Sequence, residues 1–586
     1  MGVAALLAFG HPASAADPDG TIEAARSLDT VELVAEEGAV GLALHHLDSH
    51  QPSRADYPAS WLLWERRRQE LLAEMGDWQR LARRVAGYPA DLPADFLSES
   101  DRQRTMALER AGDGRALREL AFQRLWLDPE PPKPAMVRHW QRALMVAYQL
   151  EGERESAVLA ARLLRDSGED DDELHHRLGV LLLELGRPAE ALTHLNRVPD
   201  DFSRAGLPVE PLRLLAAWRA EWITSAELVE RAARLIPDPG TRSTIHQLIQ
   251  AAAPGPHERA AALEALLVEL PAEPLPGLKL PTADDLWRAY RRLGREVSNA
   301  RELAVGEEER WLEEAARLRE EEPLHKRALL ALLLEHAEDR DHRETAHRRL
   351  AISVLDGPGG DLLERLYTEA TTYAEPDRVP APIRYTLIDR FLAADDIPAA
   401  ARLLRGLTEA PIPDESFDWR LRRARALIRA GDTALGVRGL HRLLDETTRP
   451  GSKELDRTIQ VVFDLQATAA HEAAIEILER LRRRTSDRRV QRELLFWSAD
   501  SHSELDRPAT AAEYYLRAAR RVPDDLDDPW VETAYYRAAR ALAEAGFEAD
   551  ATRLFERLLG ATDDPRRRAR LRNEMGRLGD AARATP

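Results

Sequence analysis

The sequence predicts an all-α fold: an α-solenoid of antiparallel helix-turn-helix repeats wound into an irregular superhelix. Three observations predict it. Apolar residues recur at i, i+3, i+4 and i+7 in "AELVERAARLI", "HEAAIEILERLRRR" and "ATRLFERLL", the period of a helix with one buried face. Alternating apolar–polar runs bounded by turns are scarce, whereas the helix formers Ala, Leu, Glu and Arg are abundant. Short breakers also return at near-constant spacing. They fall at Gly76, Gly112, Gly152 and Gly186, in steps of 36, 40 and 34, and again at Asp395, Gly431, Asp506 and Gly546. A chain of 586 residues is too long for one hydrophobic core, so several domains or one extended solenoid are expected.

Each segment has its own signature. The chain opens "MGVAALLAFGHPASAADPDG". Val3–Gly10 is a short apolar run, and Ala13-Ser14-Ala15 matches the small-residue cleavage pattern of a secretory leader, leaving Ala16 or Asp17 first. No Arg or Lys precedes Arg26, so the usual basic n-region is missing. Residues 1–16 are read as leader-like, which makes the expected location periplasmic. Residues 20–235 carry a first helical array. Residues 236–283 are broken by Pro237, Pro239, Pro254, Pro256 and four prolines from 271 to 281; helices do not run through prolines, so this stretch is read as a connector. Residues 284–380 are helical in pattern but repeat poorly, and 381–565 form a second, clearer array. The last stretch, 566–586, is basic and helical or flexible. No later segment reaches the roughly 18 uncharged apolar residues of a membrane span.

The register of the arrays rests on a small residue near the start of each second helix: Ala157, Ala191, Ala400, Gly436, Ala474, Ala512 and Ala551. Four residues on lie Ala161, Leu195, Leu404, Leu440, Leu478, Leu516 and Phe555. Seven on lie Leu164, Val198, Leu407, Leu443, Leu481, Ala519 and Leu558. Nine before lie Tyr148, Leu182, Phe391, Leu427, Leu465, Ser503 and Leu542. All but Ser503 are apolar, as expected where two helices cross closely at the small residue and larger ones fill the seam.

This pattern resembles the tetratricopeptide repeat family, seen most clearly in "LHHRLGVLLLELGRPAEALTHLNRVPDD" (174–201), where Leu178-Gly179, Leu182, Ala191, Leu195 and Val198 fall in family positions. Several units are longer than the family's 34 residues, and the Gly179 position is filled by Met145, Ile388, Ala424, Val462, Asp500 or Ala539 elsewhere. The resemblance implies a groove lined by the first helix of each unit. Carried over, the groove positions are Arg142, Val146 and Gln149; His176, Val180 and Leu183; Tyr385 and Asp389; Leu421 and Arg425; Ile459 and Phe463; Trp497 and Ser501; and Tyr536 and Arg540. The row Ile459, Phe463, Trp497 and Tyr536 is the preferred peptide-binding surface, with ordinary packing between repeats as its competitor.

Catalytic and metal chemistry find little support in the sequence. There is no cysteine, so thiolate ligands, disulfides and a cysteine nucleophile are excluded. In "HEAAI", His471 is followed at the fifth position by Ile475, not by the second histidine a zinc helix needs. His336, His342 and His347 lie at spacings that diverge on a straight helix. The acid clusters "GEDDDEL" (168–174) and "PDDLDDPW" (523–530) lack the central glycine and spaced oxygens of a calcium loop and read as helix caps. Glu307–Glu309 begins a helix with an i, i+4 pair, Glu313–Arg317. The twelve tryptophans default to core packing. No phosphate loop, nucleophile elbow or dinucleotide fingerprint is present, so no cofactor is expected and the chain is read as a non-enzyme. The net charge of −19 argues against nucleic acid. The expected role is a cell-envelope scaffold for a protein or peptide partner. A module of a secretion or polysaccharide-export system, or less readily a glycan-active enzyme or its regulator, stays open.

Overall fold

The computed structural model describes residues 28–129, 131–297, 307–318, 322–412, 416–447, 450–520 and 529–584. The leader-like residues 1–16 and most of the 523–530 acid cluster lie outside the described residues. The fold is all-α, and among the described residues the sole sheet is a two-stranded ribbon pairing Ser203 with Pro208 and Arg204 with Leu207. The chain divides into two compact units. One runs to Ala262 and takes in Glu269–Leu280; the other comprises Leu263–Val268 and the chain from Pro281 on. Among the described residues no helix is long and apolar enough to cross a membrane.

Both units contain the expected hairpins. In the first, Pro134–Leu150 pairs with Arg154–Asp166, and Asp172–Glu184 with Pro188–Leu195. In the second, Ala381–Ala393 pairs with Ile397–Leu404, Ser416–Arg429 with Thr433–Glu446, Ser452–Ala467 with His471–Arg484, Arg488–Glu504 with Pro508–Ala519, and Pro529–Glu544 with Glu548–Ala561. One turn recurs in all of them. A residue in the left-handed region ends the first helix, and the next N–H reaches back to the carbonyl five residues earlier: Arg187 to Leu182 at 2.8 Å, Asp432 to Leu427 at 2.8 Å, Phe547 to Leu542 at 2.8 Å. This closure satisfies carbonyls the helix end leaves open. Gly186 and Gly431 fill that place without strain, but Asp395, Ala469 and Asp506 hold φ values of 56°, 58° and 56° there, a cost that the packed hairpin overrides.

The register marks lie at the crossings. Ala157, Ala191, Ala400, Ala474 and Ala551 are fully buried. A Cβ on Gly179 would overlap the Leu195 side chain, and one on Gly436 would lie 2.8 Å from the Ala424 carbonyl oxygen. One unit corrects the sequence reading. In every other marked hairpin the positive-φ residue precedes the mark by five; Asp506 precedes Ala512 by six. The true mark is therefore Ala511, fully buried. The partners of Ala511 become Tyr515 and Ala518, both buried, and His502 replaces the misfit Ser503.

Two segments depart further from the sequence reading. The 236–283 stretch is not simply a connector, because it contains the helices Arg242–Ala252 and Pro256–Val268; Pro256 sits at a helix start, where its missing N–H costs nothing. Within 284–380, the Ala283–Val297 helix packs on Pro323–His336 rather than on the intervening Glu308–Arg317. Gly294 permits this, since a Cβ there would sit 2.6 Å from the Ala328 carbonyl oxygen. This pair of non-consecutive helices breaks the regular repetition of the segment, although Pro323–His336 also packs on the following Arg340–Leu355.

Candidate functional site

The first-helix face differs between the arrays. In the first unit it is filled by the chain itself. After Val198 the chain turns through Ala205 and Gly206, both at positive φ, as a two-residue ribbon turn requires. The ribbon lies over the Asp172–Glu184 helix. His176 donates from Nε2 to the Leu207 carbonyl at 2.8 Å, and its ring centroid is 5.4 Å from that of Phe202. Arg204 reaches Glu173 at 3.0 Å. Burial lowers the His176 pKa, which keeps the imidazole a neutral donor. Arg142 is held by Glu169 at 2.6 Å, Asp171 at 2.7 Å and Glu173 at 3.2 Å. Gln149 accepts from Arg177 at 3.1 Å. Val146, Val180 and Leu183 are buried. His176 and Val180 are therefore packing residues, not open groove residues.

The second array leaves more of this face accessible. Asp389, Arg425 and Arg540 are exposed, and Tyr385, Phe463, Trp497 and Tyr536 are half-buried. Ile459, Leu421 and Ser501 are buried, so Ile459 belongs to the seam. Ser501 accepts from Gln466 Nε2 at 2.8 Å; the one-residue slip in its hairpin places it inside. With Ala511 as the mark, the equivalent positions are Phe496, buried, and Asp500, half-buried. Asp500 accepts from Tyr515 OH at 3.0 Å. Sequence reasoning missed Asp500 because Ala511 and Ala512 are equally small; the polar Ser503 was the available signal.

One side chain per hairpin thus lines the face: Asp389, Arg425, Phe463, Asp500 and Arg540, at steps of 36, 38, 37 and 40 residues. Arg425 pairs with Asp464 at 2.7 Å, and Asp389 lies 3.5 Å from Arg422. Tyr385 donates to the Glu409 carbonyl at 2.9 Å and meets Trp419 edge-on with centroids 5.9 Å apart; burial raises its pKa. An aromatic ladder joins successive first helices: Phe463 to Trp497 at 4.9 Å and Trp497 to Trp530 at 6.5 Å. It packs repeat on repeat while keeping part of each ring outside.

Buried charge elsewhere is structural. Glu264 takes both guanidinium arms of Arg327 at 2.7 Å and the Tyr290 hydroxyl at 2.6 Å. Glu65 is enclosed by Arg68, Arg84, Gln51 and Tyr88. All these acceptors are satisfied within the fold. The histidines considered for metal have other partners: His342 bonds Glu308 at 2.9 Å, and His347, its pKa pushed down to about 4 by burial, bonds Tyr367 OH at 2.8 Å. His175 contacts Asp170 and His194. No group of three or more potential ligands is placed for a metal ion among the described residues. Asp171 caps the Leu174 N–H at 2.7 Å, and Arg317 bonds Glu313 at 2.9 Å.

No family model matches the chain, and no curated protein matches it. Among solved structures, the chain is similar to yeast Tom70, with 11% identity, TM-score 0.22 and coverage of 84% of this chain and 97% of that one. It is also similar to the structure of Naa15/Naa10 bound to HypK-THB, with 14% identity, TM-score 0.27 and coverage of 95% and 97%. A circular tandem repeat protein matches with 16% identity, TM-score 0.09 and coverage of 96% and 97%. The repeat architecture stands on the helix packing described above.

Proposed function

We propose that the protein is a non-enzymatic scaffold that holds a polypeptide partner along the first-helix face of the 381–565 array. The observation that supports this is the accessible row Asp389, Arg425, Phe463, Asp500 and Arg540, one residue per hairpin. Such a row offers charge and aromatic surface at regular intervals to an extended chain. The leader-like pattern of residues 1–16 supports a cell-envelope setting for this role.

Photo-crosslinking tests the reading. A crosslinker at Asp389, Phe463 or Arg540 captures one and the same partner, and a crosslinker at Arg438, Glu476 or Glu513, exposed on second helices, does not. Equal capture from both sets overturns the docking face. Fractionation with and without residues 1–16 tests the location: recovery of the full chain in the cytosol removes the envelope assignment and leaves the docking reading to the crosslinks.

A further inference from the structure

The far end of this face carries chemistry of its own. A depression of about 380 Å³ lies between the Pro529–Glu544 helix and the final helix, Pro565–Ala584. Its wall bears four arginines, Arg537, Arg540, Arg567 and Arg570, and one carboxylate, Glu532. Tyr536 lies in the same wall, with Leu558 and Leu571 as apolar lining. Glu532 neutralises Arg567 at 2.7 Å, Arg540 pairs with Glu544 at 3.3 Å, and Arg570 lies over the Tyr536 ring, 4.9 Å from its centroid. Glu574, beside the depression, accepts from the Tyr536 hydroxyl at 3.3 Å; the lining itself keeps a surplus of positive charge, four arginines to one carboxylate, in a chain whose net charge is −19.

Helix stability does not explain that surplus. Arg566, Arg567, Arg568 and Arg570 crowd the first turns of the final helix; one acid, Asp564, caps the Arg566 N–H at 2.9 Å and lies 3.6 Å from Arg567, and the next acid after Pro565 is Glu574. Cations at a helix N-terminus oppose the helix dipole. Arginine forks are suited to carboxylates, and a guanidinium resting on a ring stays positioned for one.

We infer that this depression binds an acidic segment of the partner polypeptide, its carboxylates meeting Arg537, Arg540 and Arg570. The inference rests on the docking reading above, because Tyr536 and Arg540 belong to the same first-helix face. Charge complementarity and continuity with that face select this occupant.

Anisotropy of the full chain with a fluorescein-labelled Glu-rich decapeptide, its Gln-rich counterpart and a DNA oligonucleotide of equal charge tests it. The Glu peptide binds, the Gln peptide binds at least about tenfold more weakly, and added salt weakens the Glu peptide. The Arg540→Gln/Arg570→Gln variant also loses about tenfold for the Glu peptide. An Arg438→Gln/Arg553→Gln variant, with the same charge loss on second helices, binds as the parent does. Equal binding of Glu and Gln peptides, equal loss in both variants, or tighter binding of the oligonucleotide overturns the acidic-segment site. If partner crosslinks from Asp389 and Phe463 survive Arg540→Gln/Arg570→Gln undiminished, the docking face stands and the acidic pocket falls. Absence of those crosslinks together with absence of Glu-peptide binding removes both.

Discussion

The first array and the last are built from the same tile, yet they use its inner face differently. Around the Asp172–Glu184 helix that face is consumed by the fold: His176 is capped by Leu207, Arg142 is clasped by three acids, and the 203–208 ribbon lies on top. Along 381–565 the equivalent positions remain accessible at Asp389, Arg425 and Arg540. Repeat identity therefore does not specify a groove. A loop ten residues long after Val198 is enough to turn binding positions into core.

That contrast can be broken by mutation. His176→Ala removes a buried ring and leaves the Leu207 carbonyl without its donor, so it should cost about 3–4 kcal/mol. Arg425→Ala should cost under about 0.5 kcal/mol. Denaturation of the full chain, with hydrogen exchange followed in each helix, reads both; equal costs would mean that the second face is structural too.

Acid sharpens the comparison. The first array holds four histidines that burial shifts downward, His139 and His194 to about 4 and His46 and His176 in the same direction. In the last array burial shifts His502 the same way. A histidine whose folded pKa is depressed favours the folded state while neutral. That preference is lost as pH falls below about 6.5, where the unfolded chain takes up protons, and the loss is complete below about 4. Discounted for partial exposure, the first array should lose on the order of 3 kcal/mol over that window. Hydrogen exchange at pH 7 and pH 4.5 checks it: protection of the Asp172–Glu184 helix should fall more than that of Ser452–Ala467.

A smaller difference separates the two glycine crossings. Gly436→Ala drives a methyl into the Ile428 side chain and the Ala424 backbone carbonyl and should cost about 2 kcal/mol, whereas the atoms nearest a methyl in Gly179→Ala all belong to the Leu195 side chain, which can shift, and the cost should be about 1 kcal/mol. Arg204→Ala should cost about 1 kcal/mol or less, because its ion pairs are partly exposed. If Arg204→Ala nevertheless opened the ribbon to protease, the cover would be a latch held by few contacts.

Much of the fold was legible because helix period and turn chemistry are local. The breaks at Gly76, Gly112, Gly152, Gly186, Asp395, Gly431, Asp506 and Gly546 all coincide with positive φ. The break before His471 carried no such flag, since Ala469 is an ordinary helix former that packing forces into the left-handed region. The prolines of 236–283 suggested a connector, but they bracket two helices instead of interrupting them. The site was less legible. Exposure changes completely over one residue on a helix, and the paired Ala511 and Ala512 hid a slip that exchanged Asp500 for Ser501.

Sequence by itself determined the all-α repeat architecture, the positions of most hairpin turns and the small residues at helix crossings, because each follows from a period or a conformational preference within one tile. Only the tertiary structure decided which first-helix positions stay open. That choice depends on the 203–208 ribbon and on the arginines that the final helix brings beside Tyr536. These contacts join residues far apart in the chain, and their energies come from packing and charge that no local pattern encodes.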